Sequence, residues 1–160
     1  MHDQNGQSVV ASLHWLATLL TGHREIAADV TVEAISSGGD PGAVSRKGFI
    51  AKALAAVRED LAASARRTAL KRDEDSAPPP KSWTLDRETT KSDLERALLS
   101  VEMFPRAAAL LLLFERVPLN DAAILLDSEP GLVRNASAAG ARDLTINLAR
   151  MQESVGRQYA

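Results

Sequence analysis

Few residues of this chain have the types and spacing that catalysis or metal binding requires. His14 and His23 are too far apart in sequence to share one metal-binding helix face, and no carboxylates cluster beside them. The chain contains no cysteine, which removes thiol catalysis, disulfide frameworks and most structural zinc sites. The sequence also lacks a Gly-rich phosphate loop and a Ser-His-Asp order. We therefore expect a protein that is not an enzyme and uses no cofactor and no metal.

The chemistry that remains is that of charged helix surfaces. Asp29 and Glu33 lie four residues apart, so their carboxylates share one helix face. That face is either an ordinary solvated surface or a contact for a protein partner. Arg66 and Arg67 come near the end of a predicted helix, where cations suit the negative end of the helix dipole. A nucleic-acid contact is the alternative for this arginine pair.

Composition sets limits on size and partners. With 160 residues and 45% hydrophobic content, the chain can form one core or two small helical cores. The net charge of −2 is unfavourable for a nucleic-acid binder, because affinity for phosphates depends largely on Lys and Arg. Residues 91–160 carry eight Lys or Arg against nine Asp or Glu, a net charge of −1. Any DNA contact must therefore be local.

The apolar segments of the sequence allow a prediction of the cellular location of the protein. The run from Leu110 to Phe114 is far too short to cross a bilayer. The first residues also lack the basic-then-apolar pattern of a signal peptide. We expect a cytoplasmic protein that does not associate with membranes.

Apolar periodicity predicts a helical domain at residues 5–70. A first helix ends at Thr21-Gly22, a second runs from about Glu25 to Ile35, and a long Ala-rich helix spans roughly Arg46 to Ala69. Residues 71–91 are predicted to be a linker, because an acidic stretch is followed there by three prolines, which favour extended backbone.

A second helical domain is predicted at residues 92–151. Ser92 and Glu95 form a candidate capping box that would start its first helix, and Pro105 and Pro118 suit the first turns of the next two. The stretch from Leu125 to Asn135 is typical of a helix-turn-helix. The predicted fold class is therefore all-α, with two small helical domains joined by a Pro-rich linker.

The order of these elements resembles the extracytoplasmic-function sigma factors of bacterial RNA polymerase. Near the N-terminus, the segment from Leu20 to Ala34 is similar to the family pattern L-T-G-x-x-E-x-A-x-D-x-x-Q-E-A. The resemblance implies that Asp29 and Glu33 lie in region two, on the surface that faces core polymerase. Val32 stands where the family usually has Gln. The resemblance also implies that the long helix holds promoter DNA, with Lys52, Arg66 and Arg67 as possible nucleic-acid contacts.

The C-terminal domain resembles region four of the same family. The segment from Val117 to Asn135 aligns without gaps to L-S-Y-E-E-I-A-E-I-L-G-I-S-E-G-T-V-K-S. The helix from Pro130 would then be a recognition helix, which reads bases through side chains near its N-terminus. Arg134 and Asn135 are the candidates for base contacts, and Arg142 is a candidate phosphate contact further along.

The chain also departs from the family pattern. Ala136, Ala139 and Ala141 stand where the family usually has arginines, and Ser137 replaces a core Leu. The buried face of the last helix thus has little bulk at its middle, so it could pack either closely or weakly. In the long helix Phe49 is the only aromatic residue, although base stacking on melted DNA uses aromatic side chains.

Two functions remain open from the sequence. The first is a divergent sigma factor of this family, which binds core RNA polymerase and promoter DNA and is held by an anti-sigma factor. The second is a sigma-like protein that binds a protein partner, such as an anti-sigma factor, without opening DNA. Motif order supports the first, and the lost arginines and aromatics support the second.

Overall fold

The computed structural model describes residues 2–38, 44–71 and 89–159. Every regular element in these ranges is helical, so the predicted all-α class is confirmed. The α-helices are α1 (His2–Thr21), α2 (Arg24–Gly38), α3 (Arg46–Ala56), α4 (Arg58–Lys71), α5 (Lys91–Leu99), α6 (Met103–Ala109), α7 (Leu119–Leu125) and α8 (Pro130–Tyr159). A π-helical turn, Leu110–Phe114, directly follows α6. None of these described helices is both long enough and apolar enough to cross a membrane.

The chain forms two compact units, residues 1–62 (unit 1) and residues 63–160 (unit 2). The last part of α4 therefore belongs to the same unit as α5 to α8. Most of the predicted linker, residues 72–88, lies outside the described residues.

In unit 1, α1 and α2 form a hairpin around the Thr21-Gly22 turn. Gly22 has a φ of 77°, a conformation that glycine adopts without steric penalty. The Thr21 hydroxyl is fully buried and donates to the Ala17 carbonyl at 2.7 Å. It also accepts the His23 N–H at 3.2 Å. The turn is fixed by these bonds, and α2 packs against α1 and α3.

The predicted long helix after Arg46 is in fact two helices. Its N-terminus is capped by Ser45, whose hydroxyl accepts the Gly48 N–H at 3.3 Å. The chain leaves helical geometry at Val57, with φ −121° and ψ 28°. Leu54, Val57 and Leu61 are all buried, so the apolar spacing continues through the break. Periodicity alone therefore could not reveal it.

In unit 2, α5 begins two residues away from the predicted capping box. Thr90 is the N-cap: its hydroxyl accepts the Asp93 N–H at 3.1 Å, and the Asp93 carboxylate accepts the Thr90 N–H at 3.4 Å. The prediction at Ser92 was wrong because Thr90 and Asp93 have the same three-residue spacing of hydroxyl and carboxylate. Ser92 instead lies exposed in the first turn.

The two helices α6 and α8 pack closely, which decides between the two alternatives left open for the last helix. A β-carbon added to Gly140 would lie only 2.4 Å from the Pro105 carbonyl oxygen and 3.1 Å from Ala109 Cβ. Val133 and Leu144 are fully buried on the same helix. The lack of bulk at Ser137 and Gly140 thus allows the α6 backbone to approach α8.

Candidate nucleic-acid and partner surfaces

The turn between α7 and α8 is closed by backbone bonds. Asp127 lies immediately after the last turn of α7 with a φ of 50°. The Ser128 N–H donates to the Ala123 carbonyl at 3.0 Å, and the Asp127 N–H donates to the Ile124 carbonyl at 3.2 Å. This pair of bonds is the Schellman motif, which ends a helix at a left-handed residue. These bonds end α7 at Leu125, before α8 begins at Pro130.

The first turns of α8 place Arg134 and Asn135 on the surface. Both side chains are exposed, as are Pro130 and Gly131 ahead of them. Val133 and Ala136, on either side in sequence, are fully buried. This alternation follows from the helical period, which turns the two polar residues away from the core. Arginine and asparagine are side chains that form paired hydrogen bonds with base edges.

The rest of α8 is less open to a ligand. Arg142, the predicted phosphate contact, is half-buried and has an interaction partner within the protein. Ala136 is 0% exposed and Ala141 is 7% exposed, while Ala139 is half-buried. Two positions that carry arginine in the resembled family therefore face the core here. A larger, charged side chain at either position would have to be buried.

The exposed face of α2, which we call the acidic face, carries both predicted partner contacts. Asp29 and Glu33 are exposed there, together with Glu25 and Val32. Val32 is 63% exposed, although the burial of an apolar side chain is energetically favourable. Buried residues hold the opposite side of α2 in unit 1: Ala27, Val30, Thr31 and Ala34. The acidic face thus presents carboxylates around one exposed apolar group.

The predicted nucleic-acid contacts outside α8 are all exposed. Lys52 lies on α3, and Arg66 and Arg67 lie on α4. Arg67 forms an ion pair with Glu102, the N-cap residue of α6, which sequence reasoning did not identify. Phe49, by contrast, is 1% exposed and belongs to the core. The one aromatic side chain of α3 is therefore not placed for base stacking.

Arg106 is a buried cation that sequence reasoning missed. It is 5% exposed, its Nη1 donates to the Val101 carbonyl at 2.9 Å, and its Nε has no partner among the described residues. Burial lowers the pKa of Arg106 to about 10. The sequence contains no signal that Arg106 is buried, because a buried arginine and an exposed one can have the same spacing relative to neighbouring apolar residues. Its guanidinium links α6 to the segment that follows α5, through the Val101 carbonyl.

Histidine and acidic side chains do not gather into a metal site in the part of the chain that the structure describes. His14 Nε2 lies 3.4 Å from the Arg24 carbonyl oxygen, and His23 is exposed beside the α1–α2 turn. The His14 ring therefore contributes to the local structure of the hairpin.

Comparisons with known proteins give no match: no family model matches the sequence, and no curated protein or solved structure is significantly similar to it.

Proposed function

We propose that this protein is a divergent sigma factor of the extracytoplasmic-function type, which binds core RNA polymerase and promoter DNA. The observation that carries the proposal is the turn between α7 and α8. Asp127 adopts the left-handed conformation at the position where the resembled region-four pattern has Gly. The backbone at this position thus takes the conformation that favours glycine, and this agreement is separate from the matches in the alignment.

In this account α8 enters the major groove with its first turns. Helices of this kind are positioned by phosphate contacts and read bases through residues near their N-terminus. Arg134 and Asn135 are exposed there and offer the required donors. Arg142, further along the helix, is the candidate phosphate contact. An anti-sigma factor is the candidate protein that holds the sigma factor inactive.

The acidic face of α2 is the candidate polymerase contact. Asp29 and Glu33 would pair with basic groups of the polymerase, while Val32 would be buried against an apolar group. A mixed surface of this kind fits a protein partner better than DNA, because carboxylates repel phosphates.

Replacing both carboxylates of the acidic face, Asp29→Ala with Glu33→Ala, is expected to weaken polymerase binding about tenfold, or about 1.4 kcal/mol. The physical reason is the loss of two exposed charge pairs at the contact. The measurement is fluorescence anisotropy of labelled protein titrated with core polymerase.

A matched control removes two other exposed carboxylates of unit 1, through Glu59→Ala with Asp60→Ala in α4. This control should leave the affinity within about twofold of wild type, because its charges lie on a different helix. Equal weakening by both double variants would indicate a general charge effect and contradict a specific α2 contact.

The alternative is a sigma-like protein that binds only a protein partner. It is favoured by the burial of Ala136 and Ala141, because these two positions, which carry arginine in the resembled family, cannot contact phosphate here. It is also favoured by Ile124, an apolar side chain of α7 that is 77% exposed. Under this alternative, polymerase binding and sequence-specific DNA retention are both absent, while an anti-sigma partner still binds.

A further inference from the structure

The end of α4 is joined to the start of α6 by two contacts of different character. Ser64 is fully buried, and its hydroxyl accepts the Phe104 N–H at 2.9 Å. Glu102 makes no side-chain cap for α6. The Ser64 hydroxyl, from a distant part of the sequence, therefore satisfies one of the exposed amides at this helix start.

The second contact, the Arg67–Glu102 pair, lies at the surface. The Arg67 side chain is 55% exposed and that of Glu102 is 30% exposed, and Arg67 Nε donates to a carboxylate oxygen of Glu102. An exposed ion pair is weak, since water and salt screen it. The buried Ser64 bond can therefore hold the two helices together while the Arg67 side chain exchanges its partner.

We propose that Glu102 masks Arg67 as a phosphate-binding side chain, so that DNA must displace the carboxylate to gain this contact. The inference rests on the proposed function for its biological meaning, because it supplies a nucleic-acid role for Arg67. A carboxylate and a phosphate offer the same oxygen acceptors to a guanidinium. Glu102 thus occupies the position of a backbone phosphate and lowers the affinity of the free protein for DNA of any sequence.

Masking makes the phosphate-binding role of Arg67 depend on the arrival of DNA. Arg67 is neutralised within the protein until a denser array of negative charge arrives. Duplex DNA provides such an array along with its condensed counterions, whose release favours binding.

The test is the affinity of the full chain for a fluorescein-labelled random-sequence DNA duplex, measured by anisotropy over a range of salt concentrations. Four proteins are compared: wild type, Glu102→Gln, Arg67→Ala and the double variant. Glu102→Gln should raise affinity several-fold at low salt and steepen the salt dependence by about one unit of log–log slope, as one added phosphate contact requires. The double variant should bind as Arg67→Ala does.

Two results would overturn the masking proposal. One is an equal gain from Glu102→Gln with and without Arg67, which would reflect net charge alone. The other is no gain from Glu102→Gln at any salt concentration. Hydrogen exchange at the Phe104 amide, which should stay protected by Ser64 in every variant, verifies that the helix contact is intact. The assay contains no polymerase, so a failure of the masking proposal can be told apart from a failure of the sigma-factor proposal.

Discussion

Gly140→Ala is expected to destabilise unit 2 by about 2 kcal/mol. Its new β-carbon would lie 2.4 Å from the Pro105 carbonyl oxygen and 2.9 Å from the Pro105 carbonyl carbon. Both are backbone atoms, so α6 and α8 must move apart. Overpacking of this kind costs up to about 3 kcal/mol, and the better helix propensity of alanine offsets about 1 kcal/mol of it.

Thermal unfolding followed by circular dichroism measures this effect. For a domain of this size the expected change is a fall in Tm on the order of 10 °C. Gly131→Ala is the matched control, because it makes the same change in the same helix with no heavy atom within 4 Å of the new β-carbon. Its Tm should equal or exceed that of wild type. A Gly140→Ala protein as stable as wild type would contradict the close packing of α6 on α8.

Arg134→Ala with Asn135→Ala is expected to abolish sequence preference in DNA binding. Each specific base contact contributes about 1 to 3 kcal/mol of discrimination. Losing two contacts would therefore lower the affinity for the preferred promoter by roughly 30-fold or more, taking the low end of that range for each. Both side chains are exposed and their neighbours form the core, so the fold should be unaffected.

This effect is measured with the polymerase complex, by comparing the preferred promoter duplex with a scrambled duplex. Arg150→Ala is the control, since Arg150 is an exposed cation of the same helix, distant from its start. Arg150→Ala should lower the affinity for both duplexes by the same factor or leave both affinities unchanged. Preserved discrimination by the Arg134 and Asn135 double variant would exclude these residues as base contacts.

The sequence predicts the helices well because their signals are local. The Thr21-Gly22 turn, the start at Pro130 and the buried positions Val133 and Leu144 all follow from periodicity and capping chemistry. The exposure of Arg134 and Asn135 is one consequence of that period. Where two similar capping patterns overlap, as at Thr90 and Ser92, local rules alone could not choose between them.

Features that depend on distant parts of the chain could not be predicted. The pairing of Arg67 with Glu102 joins residues on either side of the proposed linker, and no periodic pattern relates them. Burial of Arg106 depends on what packs around α6. The close approach of α6 to α8 at Gly140 depends on where the Pro105 backbone lies, which the sequence does not show. The sequence therefore allowed close or weak packing of α8, and the structure shows close packing.

The most direct test of the sigma-factor account is binding of the purified full chain to core RNA polymerase by fluorescence anisotropy, followed by selection of DNA from a random pool. The account predicts tight polymerase binding and enrichment of one promoter sequence by the complex, with enrichment lost for Arg134→Ala and Asn135→Ala. A protein that does not bind polymerase, or whose complex enriches no sequence, would contradict it.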